Sequence, residues 1–197
     1  MATELRAVTV FCGSSAGTDP AHATAARQLG TVLASRNIDV IYGGGNVGLM
    51  GILADAALAA DGRVVGVIPR HLWDKEVGHD GLSELLIVDS MHERKLAMAD
   101  RGDAFIALPG GVGTFEELFE AVTWTQLGIH DKPVGLLDVS GYYQLLLRFL
   151  DQATDAGFLR RAHRDLIADA ADIDILLEDL AAWSPVDTPK WLTAEER

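Results

Sequence analysis

One cysteine in 197 residues, Cys12, rules out an internal disulfide and fits a reducing compartment, so a cytoplasmic location is expected. Basic residues are scarce: 16 Lys and Arg against 29 Asp and Glu leave a formal net charge of −13. That balance weighs against nonspecific nucleic-acid binding, which rests on Lys and Arg neutralising phosphates. A small anionic ligand stays open, because local geometry overrides a global field. No apolar run approaches the ~20 residues a membrane helix needs, so no membrane partner is expected. The N-terminal residues lack the layout of a signal peptide and run straight into a strand. The Walker A lysine pattern is missing, which argues against a P-loop nucleotidase. The six histidines show no ligand spacing, since His92-Glu93 has no second His at the metalloprotease distance. Neither a metal nor any other cofactor is expected.

What is present reads as an α/β domain. Hydrophobic residues make up 49% of the chain and there are 20 glycines, enough apolar material for a core and enough glycine for many turns. A chain of this length suits one domain burying roughly 70% of the surface its unfolded form exposes. Short apolar runs predict strands at 5–12, 38–42, 63–68, 84–88, 104–108, 133–137 and 166–168. Helical patterns fall between them at 20–35, 48–60, 91–100, from 114 to about 126, at 142–156 and at 173–183. The polar segment 69–83 is the longest loop-like stretch, and the tail from 184, with two prolines, reads as irregular. Strands that are apolar throughout and alternate with helices predict a mainly parallel sheet covered on both faces, a doubly wound, Rossmann-like domain over 1–183. Ligands of such folds bind at the carboxyl ends of the strands.

Residues 103–126 organise the rest. An apolar strand, the turn Pro109-Gly110-Gly111-Val112-Gly113, and a helix starting near Thr114 make an anion site, because the first-turn N–H groups and the helix dipole both favour a phosphate. Thr114-Phe115-Glu116-Glu117 also matches a capping box, with Thr114 as N-cap and Glu117 at N3, and Ser90-Met91-His92-Glu93 reads the same way. Arg94 and Lys95 sit in the first turns of a helix, where its dipole disfavours cations. Placed at the carboxyl edge of the sheet, they suggest a bound anion. Gly43-x-Gly45-x-x-Gly48 matches a dinucleotide fingerprint, but it follows the second strand, and Pro69-Arg70 stands where an acidic residue is expected. Arg70 in that place leaves a 2′-phosphate ligand open. Gly13-x-Ser15-x-Gly17 matches a nucleophile elbow, yet Asp19-Pro20 delays the helix such an elbow needs, so Ser14 and Ser15 are read as loop or phosphate contacts.

Together these motifs carry a resemblance. Pro109 to Glu117, Gly43-Gly44-Gly45 through Gly48-Leu49-Met50-Gly51, Met91-His92-Glu93-Arg94-Lys95, Thr123-Trp124-x-Gln126-Leu127 and Lys132-Pro133-Val134 stand in the order found in the Lonely Guy family of nucleotide phosphoribohydrolases. The chain resembles that family over most of its length. Members were long labelled lysine decarboxylases, a label that four lysines and no recognisable pyridoxal-phosphate site do not support. The resemblance implies hydrolysis of the N-glycosidic bond of cytokinin riboside 5′-monophosphates, and of AMP, to the free N6-substituted adenine and ribose 5-phosphate. It implies that Arg94 and Glu117 carry catalysis. It further implies substrate contacts from Glu76, Arg94, Lys95, Gly110, Gly111, Val112, Gly113, Thr114, Phe115, Glu116, Glu117 and Thr123, and a homodimer with the site near the subunit boundary. Asp138 departs from the Asn that many members carry. Two other functions fit the same features: a broad purine or pyrimidine nucleotide nucleosidase, and a non-catalytic nucleotide- or cofactor-binding Rossmann protein.

Overall fold

The computed structural model describes residues 4–73 and 78–185. Seven strands form one sheet, and every pair in it is parallel. They are β1 (Ala7–Phe11), β2 (Asp39–Tyr42), β3 (Val64–Pro69), β4 (Glu84–Val88), β5 (Ala104–Ala107), β6 (Val134–Leu137) and β7 (Ile167–Ala170). The spatial order is β4-β3-β2-β1-β5-β6-β7. The order reverses between β1 and β5, and the carboxyl ends of those two strands flank the switch point where doubly wound folds bind ligands.

The strands are apolar throughout because both faces are covered. Val8 and Val10 of β1, Val40 of β2 and Ile106 of β5 point to one core. That core is closed by helices α1 (Pro20–Ser35) and α2 (Gly48–Ala59) and by a C-terminal helix, Ile173–Ala182. Ala7 and Phe11, Ile41 and Phe105, one residue out of step, point to the other core. There they meet α4 (Met91–Arg101), α5 (Val112–Gln126) and α6 (Gln144–Asp155). This is the period-2 alternation of a strand supplying two layers at once. Leu29 and Leu118, one in each layer, are fully buried, and truncating either to Ala is the kind of change that costs roughly 2–5 kcal/mol.

Helix starts follow local chemistry. Asp19 caps α1, its carboxylate accepting from Ala21 N–H at 2.9 Å, with Pro20 in the first helical position. Ser90 caps α4 by accepting from Glu93 N–H at 3.1 Å, and Glu93 answers by accepting from Asp89 N–H at 3.0 Å. The expected box at Thr114 is not there. The cap of α5 lies three residues earlier, at Gly111, and no side chain caps it. Thr114 is therefore the third helical residue, buried beneath Gly110, and Glu117 lies a turn beyond any capping position.

Other departures are small. The segment from 69 opens with a one-turn helix, α3 (Arg70–Trp73), and Gly78 bridges back to Gly45. A short turn at Val139–Gly141 precedes α6, and α7 (Arg161–Arg164) precedes β7; neither has an apolar period to betray it. The C-terminal helix is α8. Of the tail expected from 184, all but the first two residues lie outside the described ones. Among the described residues no helix is long and apolar enough to cross a membrane.

Candidate active site

At the switch point the chain encloses a cavity of about 230 Å³. The end of β1 and its loop supply Val10, Cys12, Gly13 and Ser14. The first turn of α5 supplies Gly111, Val112, Gly113 and Thr114, with Glu117 one turn further in. Gly43 and Met50 close the side towards α2, and Arg94 reaches in from α4. The two walls are stitched together where Gly13 N–H donates to Pro109 O at 3.1 Å.

Arg94 is 6% exposed, and its guanidinium is gripped on several sides. Nε donates to Val67 O and Nη2 to Gly43 O, each at 3.2 Å. Nη1 lies 3.9 Å from Glu117 Oε1. The cost of burying an isolated charge is severe, so a buried guanidinium requires such carbonyls and a carboxylate around it. Gly43 makes the grip possible, since a Cβ there would sit 1.9 Å from Arg94 Nη2. The result is a cation and a carboxylate held side by side next to an uncapped helix N-terminus. One end of the cavity is suited to an anion, and the other to a centre that gains positive charge.

Cys12 is the other ionisable wall residue. Burial, and then the negative charge of Glu117, push its thiol far above the ordinary range, so it faces the cavity as a neutral S–H rather than a nucleophile. Ser15 turns away into its own loop, accepting from Gly17 N–H at 3.2 Å, which leaves Ser14 as the serine of the wall. Among the described residues no three His, Cys, Asp or Glu side chains lie close enough to hold a metal.

Of the residues expected at a site, Arg94, Gly111, Val112, Gly113, Thr114 and Glu117 line this cavity together. Gly110 lies just behind it, packed on Thr114. Lys95 does not share the cavity with Arg94. Its ammonium donates to Glu116 at 2.5 Å and to Glu120 at 2.9 Å, forming a strut from α4 to α5. Burial lowers the Lys95 pKa, but the two carboxylates more than reverse this and hold the ammonium above its ordinary value. Glu116 is thereby engaged outside the cavity. Phe115 packs against the second core, and the Thr123 hydroxyl donates to Phe119 O at 2.6 Å one turn back along α5. Glu76 lies outside the described residues. Sequence reasoning overlooked Val10, Cys12 and Met50. The first two were findable, because alternate residues at the end of a strand beside the switch point share a face.

Fold and site define a doubly wound α/β protein with a cavity lined by the first turn of α5 and a buried Arg–Glu pair at its switch point. A family model described as "possible lysine decarboxylase" matches residues 50–180. The chain is 48% identical over 185 residues to a cytokinin riboside 5′-monophosphate phosphoribohydrolase of Arabidopsis thaliana, covering 94% of this chain and 81% of that one. It is 50% identical over 184 residues to a probable enzyme of the same name from Oryza sativa subsp. japonica, covering 93% and 81%. The chain belongs to this phosphoribohydrolase family, the one named Lonely Guy above. Among solved structures, a molybdenum cofactor carrier protein from Chlamydomonas reinhardtii superposes with a TM-score of 0.69, covering 91% of this chain and all of its own. At 22% identity that likeness speaks for the fold alone.

Proposed function

We propose that this chain hydrolyses the N-glycosidic bond of cytokinin riboside 5′-monophosphates, and of AMP, releasing the N6-substituted adenine and ribose 5-phosphate. The observation that carries the reading is the Arg94–Glu117 pair set 3.9 Å apart in one cavity with the uncapped start of α5. The 5′-phosphate is assigned to the amides at Gly111–Thr114, which have no capping side chain to compete with it. As the bond from the anomeric carbon to the base nitrogen breaks, the electron pair leaves with the base and positive charge builds on the ribose. Glu117 is assigned to stabilise that charge and to orient the water whose oxygen bonds to the anomeric carbon. The proton that this water loses balances the one the departing base takes up. Arg94, which does not readily give up a proton, holds Glu117 in place and offsets negative charge on phosphate or base.

Lys95, Gly110, Phe115, Glu116 and Thr123 do not line the cavity, and their substrate contacts are proposed on family resemblance alone. A substrate contact from Glu76 is likewise proposed on family resemblance alone. A homodimer is proposed too, supported by apolar residues left exposed on α5, Val112 at 83% and Phe119 at 36%. The buried single cysteine fits a cytoplasmic protein.

The test is a panel of nucleoside 5′-monophosphates scored for free base and ribose 5-phosphate, run with the wild type and Glu117→Gln. The variant is expected to lose activity by roughly 100-fold or more while its thermal unfolding is unchanged. Full activity in Glu117→Gln sinks the assignment. Equal rates on AMP and its N6-isopentenyl form support the broader nucleosidase instead.

A further inference from the structure

One segment grips the anion turn from behind without touching the cavity. It begins at Asp138, after β6, and passes through two left-handed residues, Ser140 at φ 54° and Gly141 at φ 75°, before Tyr142 and Tyr143. A serine in that region is held against its own preference, at about 1 kcal/mol or more, so the surrounding contacts must enforce the bend. Asp138 does so. Buried, it accepts from Tyr143 N–H at 2.7 Å and from the Gln144 side-chain amide. An Asn at this position keeps an oxygen for the Tyr143 amide, and Gln144 needs only to turn its own amide over, which accounts for either residue fitting here.

The bend sends both tyrosines to the turn before α5. Tyr143 Oη donates to Leu108 O at 2.7 Å, and Tyr142 Oη donates to Gly110 O. With Gly13 N–H on Pro109 O and Phe115 N–H on Gly111 O, four successive carbonyls from 108 to 111 each have a donor. A peptide unit is planar and, here, trans, so the Gly111 N–H points opposite to the Gly110 C=O and away from Tyr142. Gly111 lines the cavity, whereas Tyr142 lies outside it, its ring edge-on to His22 and Tyr143.

We propose that Tyr142 is a positioning residue for the phosphate end of the substrate: its hydroxyl fixes the Gly110–Gly111 peptide plane, so that the amides of the turn are aligned before the nucleotide arrives. This rests on the reading of the turn as the 5′-phosphate cradle. Pre-alignment removes a reorganisation that binding would otherwise have to drive.

Tyr142→Phe removes a single oxygen and keeps the ring against His22 and Tyr143, so the circular dichroism and unfolding temperature should stay close to wild type. Titration of both proteins with inorganic phosphate should show about five- to tenfold weaker binding in the variant, the scale of one oriented hydrogen bond. The KM for AMP should rise by the same factor with kcat near wild type, and inhibition by adenosine, which has no phosphate, should not change. Equal phosphate affinity in the two proteins overturns the proposal. So does an equal loss of adenosine and phosphate binding, which marks a general loosening of the site. A wild type that does not bind phosphate sinks the cradle and this proposal together. One that binds phosphate but frees no base sinks only the hydrolase reading, and the Tyr142 comparison still stands.

Discussion

The chain carries two glycine turns that look alike in sequence and do opposite work. Each follows the carboxyl end of a strand and opens a helix, Gly43 to Gly48 before α2 and Pro109 to Gly113 before α5. The first is closed. Gly48, at φ 59°, packs so tightly on the next loop that a Cβ would lie 2.3 Å from Ser14 C, and Leu49 N–H is taken by Gly13 O at 3.0 Å. The Ser14–Ser15 backbone and Gly13 O thus occupy the start of that helix, although it matches a dinucleotide fingerprint. Its useful groups are carbonyls: Gly43 O holds Arg94, and Gly44 O accepts from His79 N–H at 3.1 Å. The second turn has its carbonyls tied back and its helix end open, with nothing within 4 Å of where a Cβ would stand at Gly111 or Gly113. One turn presents oxygens to a cation, and the other leaves its helix start uncapped, the place to which the phosphate is assigned. A glycine motif therefore signals an anion site only when the space its missing side chains leave is not already filled by protein.

Gly43→Ala attacks the closed turn at its functional point and should have the largest effect on activity. Its φ is not in the left-handed region, so the backbone tolerates alanine, but the new methyl falls on Arg94 Nη2. The guanidinium must leave Gly43 O and shift relative to Glu117. A loss of about 100-fold or more in kcat/KM for base release is expected, comparable to removing one pre-organised charge-stabilising group. Activity within a fewfold of wild type breaks the claim that the closed turn serves to hold Arg94.

Gly48→Ala tests the same turn as packing. Here alanine meets both an unfavourable φ and the Ser14–Ser15 backbone. The two penalties together are expected to destabilise the fold by roughly 2–5 kcal/mol, read as a lowered midpoint in urea. A midpoint equal to wild type shows that the α2 end is not sealed, and the dinucleotide reading of that turn returns.

Much of this was legible in the sequence, and the failures have physical causes. The strands were visible because burial on both faces leaves them uniformly apolar, and Ser90-x-x-Glu93 was visible because its two side chains answer each other locally. Thr114-x-x-Glu117 spells the same box yet forms none, because Gly111 adopts the extended cap conformation and lets the helix start before the threonine. Pattern alone cannot rank two competing helix starts. Arg94 and Lys95 were read as one cationic pair, but adjacent residues on a helix point about 100° apart. One therefore enters the cavity and the other bridges to α5. Tyr142 was invisible as a site residue because its effect runs through a backbone carbonyl 32 positions away, a relation that no local pattern carries.

Gly113→Ala gives the smallest change and the sharpest contrast, because stability and function should move in opposite directions. Gly113 is the second residue of α5, exposed, at a φ that alanine shares, with open space where its Cβ would go. Replacing glycine by alanine in a helix is favourable by a few tenths to about 1 kcal/mol, so the unfolding midpoint should stay level or rise. The space it fills is cavity wall, and a methyl among the amides keeps a phosphate from its closest approach. The KM for AMP is expected to rise by roughly threefold to tenfold, a loss on the scale of one hydrogen bond. At Gly48 the same substitution should cost stability because protein occupies the space. At Gly113 it should cost only binding, because that space is kept for the ligand. Unchanged KM and phosphate affinity in Gly113→Ala would place the phosphate elsewhere and remove the distinction between the two turns.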